Sequence, residues 1–142
     1  MVPQIEIENE IDAGTTGALG SKEAVATIAI KDLKVARDFY VGKLGMTKGA
    51  GGEPSVLTLE SGRSKIFVYE SEFAQTNKAT AATWLVGGDI ESIVRDLKNK
   101  GIAFEHYDMP HTKREGDIHV SGKMKVAWFK DPEGNILSLV NG

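Results

Sequence analysis

The chain has 142 residues, 41% of them apolar and 26% charged, with a formal net charge of −3. That is the composition of one globular domain rather than two. With no cysteine, disulfides, thiolate metal sites and a cysteine nucleophile are excluded, which suits a reducing compartment. No apolar run approaches the ~20 residues that span a bilayer, and the start MVPQIEIENE has neither the basic flank nor the apolar stretch of a signal peptide. A cytoplasmic protein with no membrane partner is the expectation.

In chain order, residues 1–22 come first, an acidic arm and linker. Glu6, Glu8, Glu10 and Asp12 face no Lys or Arg in the first 20 residues, and AGTTGALGS follows as a flexible connection. The rest, 23–142, is expected to be the folded domain. Residues 21–142 carry 17 basic and 16 acidic residues, so no basic stripe offers itself to nucleic acid.

The folded part describes one unit twice. AVATIAI at 24–30 is short and β-branched, and Asp32 after it is placed to cap a helix. Leu33, Ala36 and Tyr40 form that helix's apolar stripe, with Phe39 and Leu44 beside it, and Gly45 ends it. ATWLV at 82–86 repeats the strand, and Asp89, 57 residues after Asp32, repeats the cap. Ile90, Ile93 and Leu97 repeat the stripe before Gly101. Further strands are expected at 55–60 and 65–70 in the first half, with 46–50 a weaker one. The second half offers 102–107, 125–130 and 136–140, the last two joined by the turn DPEGN. GAGGEP at 49–54 is glycine-rich but opens no helix, so it reads as a hairpin loop and not a phosphate cradle. Each half is a βαβββ module, about 24–70 and 81–141, giving an α+β fold. Pairing the modules, or recruiting a second chain, makes a cupped mixed sheet whose faces opposite the helices enclose a space.

TIAIKDLKVARDFYVGKLGM, followed about ninety residues later by AWFKDPEGNILSLV, resembles the vicinal oxygen chelate superfamily. That superfamily holds glyoxalase I, extradiol dioxygenases, fosfomycin-resistance enzymes and bleomycin-binding proteins. The resemblance covers roughly residues 24–141 and implies paired modules, a homodimer and a site inside the cup. It also implies a divalent ion held by His, Gln or Glu on the first and last strand of each module. The matching positions here are Val25, Phe67, Ala82 and Ser138. Hydrocarbon and one hydroxyl cannot replace the water that an ion gives up, so the usual metal site is expected to be absent and no cofactor is assigned. A slip of one residue changes face, but the neighbours Ala24, Ala26, Ala81, Thr83, Leu137 and Leu139 are no better as ligands.

Strand alternation sends Phe67 and Tyr69, Ala82, Trp84 and Val86, and Ile136, Ser138 and Val140 into the cup, with Trp128 beside them. Such rings either fill a core or make a platform for a flat apolar ligand, and Trp84 and Tyr69, with polar tips that want partners, are the stronger candidates for ligand contact. His106, His111 and His119 lie within EHYDMPHTKREGDIH, at spacings of five and eight that suit no ligand pair on a helix. Pro110 and Gly116 mark a surface loop, from which His106 and Tyr107 are best placed to reach a bound molecule. Two functions stand. One is a metal-free protein that binds a small aromatic or apolar molecule through Phe67, Tyr69, Trp84, Trp128, Ser138, His106 and Tyr107. The other is a lyase or dioxygenase-type enzyme with relocated ligands or an acid–base site on His106, Tyr107 or Glu70, and no catalytic residue is fixed between them.

Overall fold

The computed structural model describes residue 20 and residues 22–50 and 54–142. Most of the acidic arm expected over 1–22, and residues 51–53 of the GAGGEP loop, lie outside these. No helix of the described residues is long and apolar enough to cross a membrane.

The first module contains β1 (Ala26–Ile30), α1 (Leu33–Arg37), β2 (Thr47–Lys48), β3 (Val56–Ser61) and β4 (Ser64–Glu70), with sheet order β1-β4-β3-β2. β1 runs parallel to β4 and the other pairs are antiparallel. Asp32 caps α1 as its position implies, its side chain accepting from the amides of Lys34 and Val35. Past Arg37 the helix widens into a π-helical turn, Asp38–Lys43. Two adjacent rings of this turn, Phe39 and Tyr40, are both buried in the core. Gly45, at φ +78°, ends the segment in the left-handed conformation that a side chain would strain.

The second module contains β5 (Thr80–Leu85), α2 (Ile90–Asn99), β6 (Phe104–Glu105), β7 (Lys113–Glu115), β8 (Ile118–Ser121), β9 (Met124–Lys130) and β10 (Ile136–Val140). Its sheet runs β5-β10-β9-β8-β7, with β6 on β9 as well. Again the first strand, β5, is parallel to the last, β10. Two expectations are corrected here. The segment 105–119, read as a surface loop, folds in part into the hairpin β7–β8, turning at Gly116 with φ +64°. Asp89 does not repeat the cap: its side chain makes no capping bond, and a single 3₁₀ turn, Gly87–Asp89, precedes α2 instead.

The helix faces of both sheets share one core. Ile28, Ile30, Leu57, Leu59, Ile66 and Val68 meet Phe39 and Tyr40, and Phe129, Leu137 and Leu139 meet Ile90, Val94 and Leu97 in the same cluster. Phe39 reaches Phe129 across the seam, with ring centroids 6.4 Å apart. A polar clasp joins the modules at the DPEGN turn. The Glu133 carboxylate accepts the amides of Lys31 (2.5 Å) and Asp32 (2.8 Å), and Asn135 Nδ2 donates to the Ala29 carbonyl at 3.0 Å.

Candidate functional site

The faces turned away from this core are the surfaces left for function. On the first sheet Thr27 sits opposite Phe67 and Ala29 opposite Tyr69. On the second, Thr83 sits opposite Ser138, their hydroxyls 2.7 Å apart, and Ser138 opposite Trp128. Along the same face Glu105 pairs with Trp128, His119 with Val126, and Arg114 with His119. Phe67, Leu85 and Met124 remain exposed on these outer faces, at 37%, 74% and 52%.

Trp84 is not on this face. It is the neighbour of Leu139 in the parallel pairing and stacks on Phe129 at 6.4 Å, so it and Ala82 belong to the helix side. The count from Asp89 fails here: Val86–Asp89 holds four residues where Lys31–Asp32 holds two, the β5–β10 register shifts between Ile136 and Leu137, and a slip of one exchanges the faces of a strand. Thr83 therefore takes the outward place assigned to Trp84 and Ala82. Trp84 instead donates from Nε1 to Ser61 Oγ (3.0 Å) and lines a cavity of about 350 Å³ between the modules, beside Met46, Leu97 and Phe129.

The outer face of the second sheet holds a cluster of rings. Trp128 meets His119 edge to face at 4.8 Å and Tyr107 at 5.2 Å, both at 78°, and Tyr107 lies 6.3 Å from His119. Edge-to-face rings at these distances hold one another in place without closing the surface. His119 is 2% exposed. Its Nε2 accepts from the Tyr107 amide at 3.0 Å, which places the ring proton on Nδ1. Nδ1 is buried and has no hydrogen-bond partner among the described residues. The 107–114 segment and His119 wall a cleft of about 440 Å³ that includes Lys113 and Arg114.

His106 leads elsewhere. Its Nε2 lies 2.7 Å from Asp117 Oδ1, and Lys98 Nζ lies 2.7 Å from the other oxygen. Lys98 first, then His106, holds the Asp117 carboxyl below the usual carboxylate range. The arrangement ties the β7–β8 turn to α2. Of the residues anticipated for ligand contact, Tyr107, Trp128 and Ser138 thus share one sheet face, Phe67 and Tyr69 share the corresponding face of the other sheet, Trp84 points away, and His106, its ring 6.4 Å from that of His119, stands at the edge of the cluster tied to Asp117. Sequence reasoning left His119 in a surface loop and did not single out Arg114. The signals were there in the small turns EGD and SGK flanking IHV, which mark a hairpin with His119 at an alternating position.

Of the positions where the resemblance places metal ligands, Val25 lies just before β1, Phe67 and Ser138 stand on the outer faces, and Thr83 takes the outward place expected of Ala82. Neutral hydroxyls and a phenyl ring do not fit a divalent ion that prefers imidazole or carboxylate. Among the described residues no three His, Asp or Glu side chains come together as a metal cage.

No protein-family model and no curated protein matches the sequence. Solved structures do match the fold. The glyoxalase family protein from Enterococcus faecalis is 22% identical with TM-score 0.63, covering 84% of this chain and 98% of its own. The glyoxalase/bleomycin resistance protein/dioxygenase from Alicyclobacillus acidocaldarius is 22% identical with TM-score 0.61, covering 86% and 93%. The fosfomycin resistance protein FosX from Listeria monocytogenes, complexed with Mn(II) and sulfate, is 13% identical with TM-score 0.65, covering 86% and 90%.

Proposed function

Starting from a chain with the paired-module fold of glyoxalases and bleomycin-resistance proteins, we propose that it binds a small aromatic or apolar molecule without a metal ion. One observation carries the reading: Val25, Phe67, Ala82 and Ser138, where the resemblance puts ligands for an ion, make no donor set, nor does Thr83 in Ala82's outward place, and an aromatic cluster of Trp128, Tyr107 and His119 lies beside Ser138. The exposed apolar residues of both outer faces, Phe67 and Leu85 among them, support a homodimer in which a second copy closes each face into a cup. An acid–base enzyme is the weaker reading. His106 is committed to Asp117, and Glu70 lies at the end of β4, on the other sheet from the ring cluster.

The test pairs two measurements. Thermal unfolding against a panel of aromatic compounds is expected to show saturable stabilisation that grows as RT ln(1 + [L]/Kd). Metal analysis of protein purified without chelator is expected to find no stoichiometric ion. Stoichiometric zinc, nickel, manganese or iron overturns the proposal in favour of an enzyme, and no stabilisation by any compound leaves the rings as packing alone.

A further inference from the structure

The cleft walled by the 107–114 segment is chemically one-sided. Lys113 and Arg114 line it against a single carboxylate, Asp108. Arg114 pairs in register with His119, so it stands on the same sheet face as the ring cluster, and it makes no ion pair among the described residues. His119, its register partner, also lines the cleft, and its buried Nδ1 carries the ring proton with no acceptor among the described residues. A guanidinium next to flat rings matches a planar carboxylate, which it grips through two parallel N–H···O bonds while the rings cover the ligand's body.

We propose that this cleft takes an aromatic carboxylate, with Arg114 holding the carboxylate and Tyr107 and His119, which line the cleft with it, contacting the ring system. The inference rests on the reading of the outer face as a small-molecule site and specifies the ligand's class. A volume of about 440 Å³ accommodates one such molecule, since ligand pockets run from roughly 300 to 1,000 Å³.

Isothermal titration of the full chain with three probes of one shape tests it: 2-naphthoate, 2-naphthylmethanol and 2-naphthylmethylamine. The carboxylate is expected to bind about tenfold more tightly than the alcohol, and the amine more weakly than either. Arg114→Gln should bring the carboxylate down to the alcohol's affinity and leave the alcohol unchanged, whereas Arg114→Lys, which keeps the charge but loses the fork, should fall between. Arg114 is exposed, so both variants are expected to keep the fold, with circular dichroism as the check. Equal binding of alcohol and carboxylate, or carboxylate binding indifferent to Arg114→Gln, overturns the carboxylate assignment while leaving the binding function standing. Binding by none of the three overturns both.

Discussion

At the scale of single residues, the seam between the modules depends on Asp131, which is 5% exposed. A buried carboxylate is tolerated only when its oxygens are paired, and this one accepts four hydrogen bonds. Oδ1 takes the amides of Glu133 and Asn135, both at 2.9 Å. Oδ2 takes Asn135 Nδ2 at 2.8 Å and the Tyr40 hydroxyl at 2.9 Å. Burial, then the neighbouring Asp131 charge, pushes the Tyr40 hydroxyl far above the ordinary tyrosine range, so it remains a donor at every working pH. Tyr40→Phe keeps the ring and removes that donor. The expected loss is ~1–3 kcal/mol of unfolding free energy in urea titration, because Asp131 stays buried one partner short. An unchanged midpoint would mean that Asn135 and the backbone suffice.

At the scale of elements, Asp117 links the β7–β8 turn to α2 through Lys98 and to the chain after β6 through His106. Its carboxyl is held low in the fold, against about 3.9 for an unfolded aspartate. Its contribution is therefore complete above about pH 4 and disappears as pH falls toward the folded value, because the unfolded chain then binds the proton first. Asp117→Asn is expected to lower the urea midpoint at pH 7 and to flatten its decline between pH 5 and 3, measured by circular dichroism. Equal slopes for the two proteins would refute the assignment.

Elements also show what was legible in the sequence. Both helices, their apolar stripes and the terminating glycines followed from local patterning, as did β4, β9 and β10, since period and turn chemistry are written in neighbouring residues. The face of Trp84 did not follow. It depends on how many residues the Val86–Asp89 turn consumes, and the count from Asp89 assumed a cap that forms only at Asp32. The burial of His119 was likewise hidden, because a short hairpin of polar residues acquires its inside and outside only from the strand beside it, β9.

At the scale of the whole molecule, the chain spends its helix faces on an internal core and leaves both opposite faces open. Leu85 and Phe67 lie on those open faces, and a second copy would remove them from water. Leu85→Lys and Phe67→Lys are expected to convert a dimer to a monomer in size-exclusion chromatography with light scattering, with secondary structure retained, since neither side chain belongs to the core. A wild-type protein that is already monomeric at micromolar concentration would rule out the second copy as the cover.

Among the described residues the β7–β8 hairpin has no counterpart in the first module, whose sheet holds β1, β4, β3 and β2 alone. The internal duplication is thus unequal: one half keeps a plain sheet of threonine, phenylalanine and tyrosine, and the other gains an arginine, a histidine and a roof. Saturation should consequently be reached at one guest per polypeptide and never two, whatever the number of copies assembled.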